Sequence, residues 1–191
     1  MSNPARARFA RERILQAAGR CLIADGAAGL NMQDVATAAG VSKGLIHYHF
    51  HDKAALLEQL ARALGDALVR REHEALDAVS PAQAVDTLWR WLQAELAHGE
   101  IRALLELAHD PDPGVRAATA EIAARRRETA ADTITRLFAA LSLTPRVPAG
   151  MLAGVAVAFT DGLALHAFAV PGADHRVAFD VFWLALLSLA E

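Results

Sequence analysis

The 191-residue chain is expected to be all-α, with a small three-helix domain carrying a helix-turn-helix and a larger helical body behind it. Three observations lead there. Apolar residues recur at helical spacing along most of the chain. Caps and breakers (Asn, Ser, Gly, Pro) cut it into segments of ordinary helix length. Residues 31–53, NMQDVATAAGVSKGLIHYHFHDK, read as two short helices joined by a glycine turn, with polar and aromatic side chains on the second. The boundary is expected near residue 68, giving domains at 8–68 and 69–191, with the helix-turn-helix at about 31–50. A chain that is 54% hydrophobic has enough apolar material for a sizeable core.

The first helix is expected to open among Arg6, Arg8, Arg11 and Arg13 and to run to about Ala24. Ile14, Leu15, Ala18 and Leu22 make its buried stripe and Gly26 ends it. The second starts near Met32: Asn31 can cap it, and Asp34 sits where a capping-box acid faces the positive end of the dipole. Val35, Ala36 and Ala39 share its inner face, and Gly40 supplies the positive φ a sharp turn needs. Val41 plugs the angle, Ser42 caps the third helix, and Ile46 and Phe50 take that helix's buried side.

That leaves Lys43, Gly44, Leu45, His47, Tyr48 and His49 to decorate a helix little more than two turns long. A helix so short is unstable alone, and its outward side chains ask for a partner beyond the core. Duplex DNA fits. The helix N-terminus and Lys43 attract phosphate, Gly44 permits close backbone approach, and Leu45 and Tyr48 are apolar enough to touch a thymine methyl. Lys53, opening the next helix, is expected to grip the DNA backbone, and the arginine arm, Arg8 included, to add phosphate contacts. Charge is segregated accordingly: residues 1–53 hold seven Lys or Arg against four Asp or Glu, a net +3, and the remainder holds 12 against 18, a net −6.

From Lys53 a long helix carries Leu56, Leu57, Leu60, Leu64 and Leu68 on one face and ends before Ser80. Ser80, Pro81 and Gln83 form a start signal for the next, with Val85, Leu88, Trp89, Leu92 and Leu96 inward and a stop near Gly99. Ile101, Leu104, Leu105 and Leu107 make a short apolar helix closed by the breaker DPDPG at 110–114. Val115 to Leu141 then read as one amphipathic helix whose arginine run, Arg125 to Arg127, is a solvated face interleaved with acids. The last two segments, 148–170 and 174–190, are apolar almost all round and need partners. Gly150, Gly154, Ala158 and Gly162 recur every four residues, a smooth ridge on which a second helix can approach closely. Such a strip also fits a transmembrane dimer helix. Against that stand Asp161 and His166 within the run, Pro171 and Gly172 after it, and no basic flank.

His47, His49 and His51 form an HxHxH run, but no Cys or carboxylate completes a metal site, since Asp52 is needed to cap the long helix. Phosphate contact is the preferred reading and no cofactor is expected. The single Cys21 has no partner, as suits a reducing compartment, and the basic N-terminus is followed by no apolar signal core, so the protein is expected to be cytoplasmic. Neither a phosphate-binding loop, a dinucleotide fingerprint, HExxH nor a nucleophile elbow is present, and an enzyme is not expected.

The run AGVSKGLIHYHFHDKAALL, preceded by RERILQAAGRCLIADGAAGLNMQDVA, resembles the amino-terminal domain of the TetR family of transcriptional regulators. The resemblance covers about the first third of the chain without a gap. It implies an all-helical ligand-binding and dimerisation domain for the rest. Two positions depart from the family pattern: Leu45 stands where Thr is common and His47 where Tyr is, so one hydroxyl contact to phosphate is lost and another is replaced by an imidazole. On this reading the chain is a homodimeric repressor, paired through 148–170 and 174–190. It binds a palindromic double-stranded DNA operator and is released by a small, mostly apolar effector of unknown identity. The effector is expected near Trp89, Leu92, Leu105, Phe138, Phe159, Leu163 and His166. The alternative is a helical dimer that binds protein or membrane through its apolar half, with the helix-turn-helix merely structural.

Overall fold

The computed structural model describes residues 4–76 and 83–191, with the side chains of residues 4–6 left out. The described residues form nine helices: α1 (Pro4–Gly29), α2 (Met32–Ala39), α3 (Lys43–Phe50), α4 (Lys53–Leu76), α5 (Ala84–His98), α6 (Glu100–Leu107), α7 (Pro113–Ala140), α8 (Ala149–Ala169) and α9 (Arg176–Leu187). The all-α expectation holds. Ser80, Pro81 and the side chain of Arg6 lie outside the described residues. The α-helical run of α5 opens at Ala84, so Gln83 is its N-cap rather than its third residue, with φ −107° and no side-chain capping bond.

The helices gather into two compact units. The first takes the chain up to Asp66 together with Arg102–Ile122, and the second takes Ala67–Ile101 and Ala123–Glu191. The sequence places 102–122 with the carboxy-terminal body, whereas those residues pack on the helix-turn-helix unit. The reason is a set of long-range polar contacts that local spacing does not encode. Arg102 Nη2 donates to Ile23 O (2.6 Å), and Glu106 accepts from Ala27 N (2.5 Å). Both act on the end of α1, which breaks at Gly26 with φ 71°. Farther along, Glu121 bonds Arg62, and the Ile122 side chain fills the space a Cβ on Gly65 would need.

In the first unit Ile14, Ala17, Ala18 and Leu22 of α1 are buried with Val35, Ala36, Ile46 and Phe50 of α2 and α3. Leu56, Leu57 and Leu60 of α4 are buried too. The expected leucine stripe is thus the core. In the second unit Leu88, Leu92, Ile134, Phe138, Leu152, Phe179 and Trp183 lead the core cluster. Polar groups sit among them. Arg126, expected on a solvated arginine face, is 7% exposed and donates to Asp161 Oδ1 (2.7 Å), while Arg125 and Arg127 on either side are exposed as expected. A guanidinium is buried there because a carboxylate on α8 meets it. Glu95 is buried against Arg71, which donates to both its carboxylate oxygens at 2.6 Å. Glu72 is 8% exposed and accepts from Thr133 Oγ1 (3.2 Å).

α8 is long and apolar enough, by length and composition, to cross a membrane, and only 22% of its apolar window is buried within the chain. Its ridge is open: a Cβ on Gly150, Gly154 or Gly162 would meet nothing within 4 Å. Met151, Val155, Leu165 and Phe168 of α8 and Val177, Val181 and Leu184 of α9 are likewise exposed.

Burial pushes the Glu72 carboxyl up from its ordinary 4.5 to about 7, against the Thr133 hydrogen bond and the charges of Arg126 and Arg136, which favour the ionised form. The unfolded chain therefore loses this proton first, and the fold loses stability as pH rises from about 4.5 to about 7. Glu72→Gln keeps an acceptor for Thr133 and cannot ionise. It should gain about 1 to 3 kcal/mol on the parent between about pH 5 and pH 8, read from denaturant midpoints at each pH.

Candidate nucleic-acid interface

The geometry of α2 and α3 follows from four short-range devices. Asn31 Oδ1 accepts from Gln33 N (3.0 Å) and Asp34 N (2.9 Å), so α2 begins where the cap dictates. Gly40 ends it at φ 63°, ψ 41°, with its N–H and that of Val41 returned to carbonyls of the last turn. Ser42 Oγ accepts from Leu45 N (3.2 Å) and starts α3. Asp52 Oδ1 accepts from Ala55 N (2.8 Å) and starts α4. Between the last two, His51 takes a left-handed φ of 55°, and the ring Nδ1 of His47 bonds its carbonyl (2.8 Å).

Ile46 and Phe50 are fully buried, which turns the other side of α3 outward. Lys43, Gly44, His47 and Tyr48 are exposed, Tyr48 at 70%, while Leu45 and His49 are half-buried. All six predicted residues of this helix therefore lie together on or beside one surface. Nothing inside the chain requires glycine at 44, because a Cβ there would meet only Ser42 Oγ at 3.9 Å. His47 Nδ1 is committed to His51 O, and no group of three metal-ligating side chains occurs among the described residues. The His49 ring edge packs against Tyr48 (5.2 Å between centroids), and its Nε2 is buried without a hydrogen-bond partner among the described residues.

The basic arm divides. Arg8 is exposed, 3.7 Å from Glu12 and 5.8 Å from the Phe9 ring centroid, with no bond to another helix among the described residues. Arg11 is engaged by Gln59 and lies over the Phe50 ring at 5.9 Å. Arg13 Nη2 donates to Ala39 O (2.5 Å) at the end of α2, where it caps that helix from α1. The structural work of Arg13 was not legible, because it joins residues 26 apart in sequence. Lys53 is similar: its Nζ donates to Ala27 O (2.7 Å), and the side chain is half-buried. Its ammonium already gives one hydrogen bond to the fold, a role the sequence did not show, and two N–H donors remain for a phosphate.

Of the seven residues expected at an effector, five gather in one core cluster and two, Leu105 and His166, do not. Leu92, Phe138 and Leu163 are buried in the core of the second unit, with Trp89 packed on Phe179 and Phe159 stacked on Phe182 (4.2 Å). Leu105 is half-buried in the first unit. His166 is exposed, edge-on to His175 at 5.2 Å, and lines no interior.

Residues 14–60 match the model of bacterial regulatory proteins of the tetR family. The chain is 31% identical over 102 residues to the HTH-type transcriptional regulator TtgR of Pseudomonas putida, a stretch covering 52% of this chain and 49% of that protein. It thus spans about half the length of the curated relatives it matches. Among solved structures it superposes on a transcriptional regulator from Rhodococcus sp. RHA1 with TM-score 0.77 and 23% identity, over 94% of this chain and 97% of that one. A second, assigned to the TetR family and also from Rhodococcus sp., gives TM-score 0.74 and 26% identity over the same shares.

If the outward side chains of α3 serve a partner and not the fold, removing them costs little stability. Lys43→Ala and Tyr48→Ala should change unfolding free energy by less than about 0.5 kcal/mol, and Gly44→Ala should raise it by about 0.5 to 1 kcal/mol. Lys53→Ala, which strands the Ala27 carbonyl, should cost about 1 kcal/mol. Urea denaturation of the four variants checks the contrast.

Proposed function

Since the chain belongs to the TetR family of bacterial regulatory proteins, we propose that it is a homodimeric repressor that binds a palindromic operator through α3 and is released by a small molecule. The observation that carries the DNA reading is the outward set on α3. A rigidly capped helix exposes Lys43, Gly44, His47 and Tyr48 above a fully buried Ile46 and Phe50. A Tyr exposed at 70% and a glycine that the fold does not need are what a surface meeting a groove requires. Arg8 supplies a further phosphate contact. Like other regulators of the family, the protein works in the cytoplasm.

The dimer reading rests on the open ridge of α8 and the exposed apolar residues of α8 and α9, apolar surface of the kind a second copy covers. Two recognition helices would then sit about one helical turn of DNA apart, roughly 34 Å, or a modest multiple of it. For the effector, the second unit offers Trp89 and Phe159 with Leu92, Phe138 and Leu163 behind them. It also offers buried polar groups: Glu72, and the indole N–H groups of Trp91 and Trp183, which have no acceptor among the described residues. The effector is a mostly apolar molecule with a polar group. α4 carries residues of both units on one unbroken helix, and supports the reading that occupancy is transmitted along it.

Selection of bound duplexes from a random pool should return an inverted repeat. On that site, Lys43→Ala should reduce affinity and lower the slope of log affinity against log salt by about one. Gly44→Ala should bind more weakly while folding more stably. An unbiased pool, or a slope left unchanged, would remove the DNA reading. Gly154→Leu should convert a dimer to monomer in sedimentation by forcing the ridge apart, and a monomeric parent at micromolar concentration would overturn the pairing.

A further inference from the structure

The first unit contains a cleft of about 600 Å³ that the DNA reading does not use. Its volume is that of a small-molecule site. Ala28, Ala54, Leu57 and Pro111 give it an apolar floor. Lys53, Glu106, Asp110 and Asp112 give it a charged rim, three carboxylates against one ammonium.

Two of those four groups already hold the fold, Lys53 and Glu106 through Ala27, and Glu106 also lies 3.9 Å from Arg102 Nη1. Lys53 Nζ donates to Ala27 O and Glu106 Oε1 accepts from Ala27 N, so the two side chains hold one residue from opposite ends. The other two carboxylates are oriented by backbone amides. Asp110 Oδ1 accepts from Asp112 N (2.9 Å), and Asp112 Oδ1 accepts from Gly114 N (2.8 Å) and Val115 N (3.1 Å). Each keeps a second oxygen with no hydrogen bond among the described residues. Arg116 holds the Asp110 and Pro111 carbonyls through Nη1 and does not line the cleft. His109, also on the rim, has Nδ1 engaged with Leu105 O (3.0 Å) and adds a ring wall.

We propose that this cleft binds a small organic cation, a primary ammonium on an apolar body, with its head between Asp110 and Asp112 and its hydrocarbon on Ala28, Ala54, Leu57 and Pro111. Charge complementarity selects the sign and the floor selects the body. The site is distinct from the effector site of the second unit and does not depend on it. An occupant lies against Ala27 and its two holders, immediately before the turn that leads to Asn31 and α2.

The test uses full-length, isotope-labelled protein and three probes of one shape: phenethylamine, phenethyl alcohol and 3-phenylpropionate. Backbone amide shifts of Ala27, Ala28, Asp112 and Gly114 are followed. Phenethylamine should give saturable shifts at these positions with a Kd of about a millimolar, as a ligand of so few atoms allows. The alcohol should bind at least about threefold more weakly, and the carboxylate should leave the amides unmoved. Asp110→Asn retains the acceptor for Asp112 N, and should weaken the amine about threefold while leaving the alcohol unchanged. Equal affinity for all three probes, the absence of saturable shifts, or an Asp110→Asn variant that binds the amine as the parent does, would each overturn the proposal. The probe series on the parent decides the question even if the variant is unstable.

Discussion

Everything proposed for the outer face of α3 depends on the burial of Ile46 and Phe50 beneath it. Eight residues cannot sustain a helix in water, since nucleation is not recovered over two turns. The helix exists because two side chains four apart are removed from water against α1, and because Ser42 and His51 settle where it begins and ends. Orientation follows from the same fact. Once one side is committed to the core, the remaining side chains have only the opposite surface to occupy, and their usefulness to a partner is set by packing they do not take part in.

The caps and turns were legible in the sequence because they act within four residues. Asn31, Gly40, Ser42 and Asp52 each do what their spacing implies, and the stripe from Leu56 to Leu68 is the core it resembles. What local reading missed joins distant residues. Arg13 looks like part of a basic arm until Ala39 is found beside it, and Lys53 looks free until Ala27 is. Arg126 sits in a run of three arginines of identical local appearance, and only Asp161, 35 residues away, distinguishes it. The grouping of 102–122 with the first unit has the same origin, since Arg102 and Glu106 recognise backbone groups that carry no signature in sequence. Of the candidate interface, the side chains on α3 were therefore readable. The division of the basic residues into those that hold the fold and those left over was not.

The buried polar groups of the second unit set a tension within it. Arg126 with Asp161 and Arg71 with Glu95 satisfy one another, and removing Asp161 or Arg71 would leave Arg126 or Glu95 as an uncompensated buried charge. Glu72 has a single hydroxyl from Thr133 and the longer-range influence of Arg126 and Arg136, so its carboxyl is the least compensated of the set. A domain meant only to be stable would replace such groups with hydrocarbon at little loss. Their presence fits an interior whose polar groups serve a second role.

The aromatic residues divide between the units in a way that bears on how the molecule is observed. The chain has one tyrosine and three tryptophans. The tyrosine is Tyr48, on the outward face of α3, and Trp89, Trp91 and Trp183 all belong to the second unit. Ultraviolet emission is therefore sorted at source: excitation at the red edge, where tyrosine does not absorb, reports on the second unit alone. The phenol signal comes from a single ring standing at the surface that would meet DNA. The unmodified protein carries its own optical labels, a different kind in each half, and events in the two can be timed against each other without attaching a dye.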